Sequence, residues 1–201
     1  MKHSAIEPGT KVLGVEINQR RYHTIHSLSE AVRIDCSRLS RLLKKLGGIP
    51  ADATEVESGN MVLEVDKVIP IIEAFTTAIR LHEVAEYFGA SQRQVEILYR
   101  GGLLKPLVPR DERGAVRNVV FGRAHLDGVL TKISDLPVLD GKCRERFHTI
   151  SYACQRGAGR FEHIFADILE GKIPAFRDPK TLGIRSIHVE VEALVALRRS
   201  A

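Results

Sequence analysis

The feature that most constrains the fold of this chain is an internal sequence repeat. Residues 21–25 (Arg-Tyr-His-Thr-Ile) recur 125 residues later as residues 146–150 (Arg-Phe-His-Thr-Ile). The run Gly-Gly-Ile-Pro at 47–50 recurs after 124 residues as Gly-Lys-Ile-Pro at 171–174. Because two matched anchors stand at nearly the same offset, the chain is predicted to contain duplicated structural units.

A third copy lies between these two, at an offset of 54 residues. The matched pairs are Ile25 with Ile79, Ser37 with Ser91, Gly47 with Gly101, Gly48 with Gly102 and Ile49 with Leu103. We therefore predict three repeats, at residues 20–78, 79–136 and 144–201, with a linker at 134–144. Residues 1–19 form a separate N-terminal segment that is compatible with one further hairpin.

Each repeat shows the same order of predicted elements. Apolar residues at helical spacing predict a first helix at 28–34, 81–88 and 151–156, and a second helix at 37–46, 91–100 and 160–169. Each second helix stops at a glycine suited to a left-handed C-cap, namely Gly47, Gly101 and Gly171.

Beyond these glycines the pattern becomes extended, and a closing helix follows. Strands are predicted at 103–108 and 118–122 in the second repeat, at 173–176 and 185–189 in the third, and at 61–65 in the first, after a turn at 58–60. The closing helices are predicted at 67–77, 124–133 and 190–199. This order predicts a fold that is mainly α with small β-hairpin wings, in the form of three tandem winged helix-turn-helix units.

Composition excludes several classes of protein. The 201 residues carry 30 Lys plus Arg against 25 Asp plus Glu, and this net charge of +5 favours acidic partners only modestly. The longest uncharged apolar stretch is 68–72, whereas roughly 18 to 20 residues are needed to span a bilayer. The first ten residues contain no apolar signal core. We therefore expect a cytoplasmic protein that does not associate with membranes.

The cysteines point to neither disulfides nor zinc. Cys36, Cys143 and Cys154 are odd in number and contain no Cys-x-x-Cys pair. They are predicted to be buried, reduced thiols.

The second helix of a helix-turn-helix pair is the element that enters the DNA major groove. Arginine can pair with guanine there and glutamine with adenine, while lysine and serine reach phosphates. In the first repeat Leu39, Leu42 and Leu43 are predicted to face the core, and in the second Val95 and Leu98. The predicted DNA contacts on the opposite faces are Ser37, Arg38, Arg41, Lys44 and Lys45 in the first repeat, and Gln92, Arg93, Gln94 and Arg100 in the second.

The third repeat has a different charge pattern. Its second helix is predicted to expose Glu162, Asp167 and Glu170 beside Arg160 and His163, and carboxylates facing a duplex are repelled. Its other basic residues fall in the hairpin, where a wing meets the DNA backbone or minor groove. The predicted wing contacts are Arg110, Arg113 and Arg117 in the second repeat and Arg177, Lys180 and Arg185 in the third, and Arg160 is the contact predicted from the third recognition helix.

No pattern points to catalysis, a cofactor or a metal. The repeat relationship of His23 and His148 favours a shared structural role, such as capping the first helix. The run at 156–160 (Arg-Gly-Ala-Gly-Arg) lacks the Lys-Ser/Thr of a P-loop and is predicted to be the turn of the third helix-turn-helix. The sequence has no HExxH and no GxSxG motif. We predict that the protein is not an enzyme.

Two resemblances follow from these residues. The segment 81–133 resembles the winged helix-turn-helix of MerR-type regulators and phage excisionases. The run at 161–174 (Phe-Glu-His-Ile-Phe-Ala-Asp-Ile-Leu-Glu-Gly-Lys-Ile-Pro), with Arg-Asp-Pro at 177–179, resembles the C-terminal region of TniQ-family transposition proteins. This second resemblance implies a DNA-binding adaptor that works with a transposition ATPase or transposase.

The sequence therefore predicts a non-enzymatic protein that binds double-stranded DNA, as a transposition target-site or regulatory adaptor. Two alternatives remain open. The same helix faces could dock protein partners in a transposition complex, because the first repeat is nearly neutral overall and the third recognition helix is acidic. A MerR- or excisionase-like transcriptional regulator is the other alternative, although no dimerisation helix of about 30 residues is visible.

Overall fold

The computed structural model describes residues 9, 11–12, 15–16, 21–108, 119–140 and 145–199. Its helices are α1 (Ile25–Val32), α2 (Cys36–Lys45), α3 (Glu55–Asn60), α4 (Val65–Thr76), α5 (Leu81–Tyr87), α6 (Gln92–Arg100), α7 (Arg123–Ser134), α8 (Ile150–Gln155), α9 (Phe161–Leu169) and α10 (Val191–Arg199). Its strands are β1 (Lys11–Val12), β2 (Val15–Glu16), β3 (Tyr22–His23), β4 (Leu63–Glu64), β5 (Ile79–Arg80), β6 (Val120–Phe121), β7 (Phe147–Thr149), β8 (Phe176–Arg177) and β9 (Ile187–Glu190). The prediction of a mainly helical fold with small antiparallel strand pairs is confirmed.

The chain divides into two compact bodies. The N-terminal body contains the described residues up to Thr77, together with Leu107 and Val108. The C-terminal body contains residues 78–106 and the described residues from 119 onward. The predicted second and third repeats therefore share one body.

One strand pairing recurs in both bodies. The strand before each first helix pairs antiparallel with the strand before each closing helix, and these pairs are β3 with β4, β5 with β6, and β7 with β9. In the N-terminal segment β1 pairs antiparallel with β2, which matches the hairpin considered for residues 1–19. Each pairing joins the start of a repeat to the segment before its closing helix, with the helix pair between them; the first repeat adds α3 before β4, and the third adds β8 before β9.

Local capping sets where the first helix pair begins. Thr24 Oγ1 accepts a hydrogen bond from the Ser27 backbone N–H, and Ser27 Oγ accepts one from the Thr24 N–H. This capping box starts α1 at Ile25, three residues earlier than apolar spacing predicts. Leu28, Leu39 and Leu43 are fully buried in the core of the N-terminal body. The two helices therefore meet through apolar faces and leave the polar face of α2 outside.

Several predicted wing elements are wrong. Residues 58–60 end helix α3, whose Thr54 and Glu57 form a capping box, and do not form a hairpin turn. Residues 103–108 contain no strand. Of the predicted strand 118–122, residues 120–121 form β6, which pairs with β5. The left-handed glycine after α6 is Gly102, with φ of 75°, and not Gly101, whereas Gly47 and Gly171 have the predicted conformation.

The C-terminal body has one core built from both of its repeats. Val84, Phe88, Leu98 and Phe121 from the second repeat are buried in the same apolar cluster as Phe165 and others from the third. Helix α6 packs directly against α9. The two predicted recognition helices of this body therefore support each other.

Two glycines allow the backbones of the two repeats to touch. Gly89 lies in the turn between α5 and α6, and Gly183 begins the 3-10 turn Gly183–Ser186 before β9. The Ile184 N–H donates to the Phe88 carbonyl at 2.9 Å, and the Arg185 N–H donates to the Gly89 carbonyl at 3.3 Å. Both glycines have positive φ, and a Cβ on Gly89 would lie 2.5 Å from the Leu182 carbonyl oxygen. The hairpin of the third repeat is thus docked on the helix-turn-helix of the second.

The segment between these repeats also joins the sheet. Strands β7, β9 and β8 form a three-stranded sheet in that order. Val138 bridges in parallel to Arg177 of β8, and the Arg177 N–H donates to the Pro137 carbonyl at 2.7 Å. Residues 137–139, predicted as part of a linker, therefore pair with the outer strand. Among the described residues, no helix combines the length and apolar character needed to cross a membrane.

Replacing Gly183 with alanine tests the backbone contact. We expect Gly183→Ala to lower the free energy of unfolding by roughly 3 kcal/mol, because the new Cβ overlaps the Phe88 carbonyl and the left-handed backbone is strained. Gly171→Ala is the matched control, since Gly171 also has positive φ but no atom of the described part of the chain lies within 4 Å of its added Cβ. It should cost only about 1 kcal/mol. Urea unfolding measures both, and equal losses would contradict the docking contact.

Candidate nucleic-acid interface

On helix α2 the charged residues and the core-facing residues lie on opposite faces more completely than on α6 or α9. Its ten residues include four cations and no acid. Leu39, Leu42 and Leu43 are buried, and Arg38 and Arg41 are exposed. Ser37 and Lys45 are also exposed, as predicted from the sequence. The geometry produces one cationic face on a helix that is fixed through its opposite side.

The N-terminus of α2 is fixed by Asp35. Its carboxylate accepts hydrogen bonds from the Ser37 hydroxyl at 2.7 Å and from the backbone N–H groups of Ser37 and Arg38. The Ser37 hydroxyl and then the Arg38 N–H hold the pKa of this carboxyl below its ordinary value of 3.8. Farther along the face, Arg41 Nε donates to the Ser37 carbonyl at 3.2 Å. These contacts orient the first turns of the cationic face.

Lys44 departs from the prediction. It is half-buried, and its Nζ donates to the Ala53 carbonyl at 2.5 Å. A groove of about 280 Å³ beside it is lined by Ser37, Arg41 and Lys44 from α2 and by residues of α1 and α3. Lys44 therefore anchors the loop after α2 through a hydrogen bond. The exposed cations of α2 are Arg38, Arg41 and Lys45.

Helix α6 presents a smaller polar surface than predicted. Gln92, Arg93 and Arg100 are exposed. Gln94 was predicted to face outward, but it is half-buried: its Oε1 accepts from the Ser91 N–H at 2.7 Å, and its Nε2 donates to Ser151 Oγ at 3.0 Å. Both ends of its amide are thus used inside the C-terminal body.

Helix α9 is acidic, and its one predicted cationic contact is paired. Arg160 Nη2 lies 2.6 Å from Glu162 Oε1, where the Arg160 side chain is 73% exposed and the Glu162 side chain 11%. Glu162 was predicted to be exposed, yet it packs beside Gly101 at the end of α6. Lys172 forms ion pairs with Asp167 and Glu170. The acidic side chains of α9 and of the residue after it are therefore paired with nearby cations.

The predicted wing contacts have different positions. Arg177 is half-buried in β8, and its Nε is buried with no hydrogen-bond partner among the described residues. Arg185 is exposed, but its Nη2 donates to the Ala90 carbonyl at 3.3 Å and reinforces the docked turn. Lys180 is exposed. Arg110, Arg113 and Arg117 lie outside the described residues.

The histidines that repeat along the chain have equivalent positions. His23 Nδ1 lies 3.0 Å from Ser27 Oγ, and the His148 ring lies 4.4 Å from the Tyr152 ring between centroids. Each histidine precedes the threonine that caps its helix and contacts the residue four positions later, so the histidines share a position, but Thr24 and Thr149 provide the caps.

The cysteines differ from the prediction in burial. Cys36 and Cys154 are free and half-buried, and not fully buried as predicted. Burial, followed by the nearby Glu162 charge, raises the pKa of the Cys154 thiol. Cys143 lies outside the described residues. Within the described ranges, no three His, Cys, Asp or Glu side chains form a group that could hold a metal ion.

Comparison of the chain with models of protein families, with curated proteins and with solved structures gave no match.

The charge on Asp35 should contribute to stability in a pH-dependent way. Because its pKa is lowered in the folded state, the contribution is present above the ordinary carboxyl value of 3.8 and is lost as the pH falls through the lowered value. Asp35→Asn keeps an oxygen that can cap α2 but removes the charge. We expect the variant to be less stable than the wild type at neutral pH and the difference to shrink in acid.

Urea unfolding followed from about pH 7 to about pH 2 measures this difference. Asp52→Asn is the control, because Asp52 is exposed in the loop after α2 and caps no helix. A wild-type advantage at Asp35 that stays constant across the whole range would contradict the role of the charge.

Proposed function

We propose that this chain is a non-enzymatic DNA-binding protein and that α2 is its principal contact with the duplex. The observation that carries the proposal is the exposed set Arg38, Arg41 and Lys45 on a helix with three buried leucines and no acidic residue. A helix with a cationic face opposite an apolar face can lie in the major groove while its apolar face stays in the protein core.

Phosphate neutralisation would supply most of the affinity of such a surface. Each cation that meets a phosphate releases condensed counterions, so binding weakens steeply with salt. Sequence preference would come from arginine pairing with guanine, for which Arg38 and Arg41 are candidates. The Ser37 hydroxyl was also predicted to contact DNA, but it donates to the Asp35 carboxylate and is therefore not counted in this surface.

Helix α6 is a second, weaker candidate within the C-terminal body. It exposes Gln92, Arg93 and Arg100, whereas Gln94 is engaged and α9 beside it is acidic. The recurring strand pairing and helix order support a common helix-turn-helix ancestry for the three repeats. On this proposal the repeats have diverged, so that the first binds DNA best.

A scaffold role for the C-terminal body is the second candidate function. It is favoured by two exposed leucines, Leu182 at 83% and Leu197 at 65%. The resemblance of this region to TniQ-family proteins makes a transposition ATPase or transposase the partner class to test. The two functions are compatible, because they use different bodies of the chain.

The DNA-binding proposal is tested by replacing Arg38, Arg41 and Lys45 together with alanine. Affinity for a duplex should fall, and the slope of log K against log salt should flatten by about 0.9 for each lost phosphate contact. Fluorescence anisotropy with labelled duplexes across a salt series measures both quantities. Circular dichroism confirms that each variant remains folded.

The matched control replaces Lys67, Lys132 and Arg199 with alanine, because these exposed cations lie on α4, α7 and α10 and their loss changes the net charge equally. A parallel variant, Arg93→Ala with Arg100→Ala, measures the contribution of α6. If the α2 and control variants bind with the same affinity and slope, α2 is not the interface. If the wild type binds no duplex at low salt, the DNA-binding proposal fails.

A further inference from the structure

Arg33 holds an unfavourable backbone conformation. Its φ of 56° and ψ of 39° place it in the left-handed region, and among the described residues no other non-glycine residue has positive φ. A side chain costs roughly 1 kcal/mol in this region relative to glycine. The strain lies at the C-cap of α1, two residues before Asp35, in the turn of the helix-turn-helix.

The other two repeats show which residue type occupies the equivalent position. Each has a left-handed glycine in the same turn, Gly89 with φ of 55° before α6 and Gly157 with φ of 87° before α9. Gly89 is required to be small, because the Leu182 carbonyl oxygen occupies the space of a side chain. At Gly157, none of the residues that the structure describes comes within 4 Å of an added Cβ. Glycine thus fills the position in both the crowded and the open turn.

The contacts of the fold do not account for an arginine side chain at position 33. The residue is exposed, and none of the described residues forms a hydrogen bond or an ion pair with its side chain. Only its backbone N–H acts in the cap, donating to the Ser29 carbonyl, and glycine would do the same. The strained residue therefore contributes a cationic side chain that folding does not use.

The location of this charge matches the proposed DNA interface. Arg33 lies five residues before Arg38 in sequence and just before the N-terminus of α2, and the charged residues nearest to it along the chain are Glu30, Asp35 and Arg38. Asp35 is engaged with the Ser37 hydroxyl and two backbone N–H groups of α2. A helix-turn-helix bound in the major groove has duplex backbone beside the start of its second helix.

We propose that Arg33 is a further DNA-contacting residue, which binds a backbone phosphate beside the N-terminus of α2 and is retained there despite its cost to the fold. This inference rests on the proposed function of α2. Backbone strain is characteristic of positions where function outweighs stability. Arginine also suits a phosphate, because its planar guanidinium can donate two hydrogen bonds to the oxygens.

The test is Arg33→Gly, which removes the charge and the strain together. Its thermal unfolding midpoint should be unchanged or higher than that of the wild type. Its affinity for a duplex at low salt should fall about tenfold, and the slope of log K against log salt should flatten by about 0.9. A stability defect cannot account for weaker binding by a variant that is at least as stable.

Three further variants separate charge from conformation. Arg33→Asn removes the charge but tolerates the left-handed region, so it should bind like Arg33→Gly. Arg33→Lys keeps the charge and should retain most of the affinity. Arg21→Gly removes an exposed arginine that precedes β3 and should leave the salt slope unchanged.

The outcomes distinguish this inference from the proposed function. If the wild type binds and the α2 triple variant does not, equal affinity and slope for Arg33→Gly and the wild type overturn the role of Arg33 alone. A marked fall in the unfolding midpoint of Arg33→Gly would also overturn it, because Arg33 would then be structural. If the wild type binds no duplex, both proposals fail together.

Discussion

The contact between the turn at Gly89 and the turn at Gly183 determines what the C-terminal half of this protein can do. Backbone meets backbone there, and two hydrogen bonds with Phe88 and Gly89 as acceptors fix the approach. Once the two repeats dock, α6 and α9 share one apolar core and shield parts of each other. The polar groups at this junction, such as Gln94 and Arg185, then serve the fold instead of a ligand.

The N-terminal body has the same helix pair and strand pairing, with α3 added before β4, and it does not share the Gly89–Gly183 contact. Its helix-turn-helix packs on a smaller core of its own, and the polar face of α2 remains exposed. The same turn position can therefore hold an arginine in one repeat and is restricted to glycine in another. The duplicated repeats therefore differ in which of their surfaces pack against another repeat and which stay exposed.

Sequence patterns predicted every helix except α3, because apolar spacing and capping residues act within a few positions of each other. Leu39, Leu42 and Leu43 lie in the core as their spacing predicts. The hairpins were predicted poorly, because strand pairing depends on partners more than 40 residues away, as for β5 with β6. Ser91 correctly indicated the start of α6. Its capping partner Gln94 was wrongly predicted to contact DNA, because its hydrogen bond to Ser151 joins residues 57 positions apart and is not visible in local sequence. The pair Gly89 and Gly183 was visible in the sequence only as two isolated glycines.

The pairing of residues 137–139 with β8 has a consequence for self-association. An outer strand with unpaired N–H and C=O groups is a template on which a second chain can add a strand, and such edges favour aggregation. Here the Pro137 carbonyl accepts from the Arg177 N–H, and the Leu139 N–H donates to the Arg177 carbonyl, so this edge of the sheet is already occupied. Proline is itself poorly suited to extending a ladder, because it has no N–H to donate. The segment that connects two repeats thereby also protects one of them from pairing with another molecule.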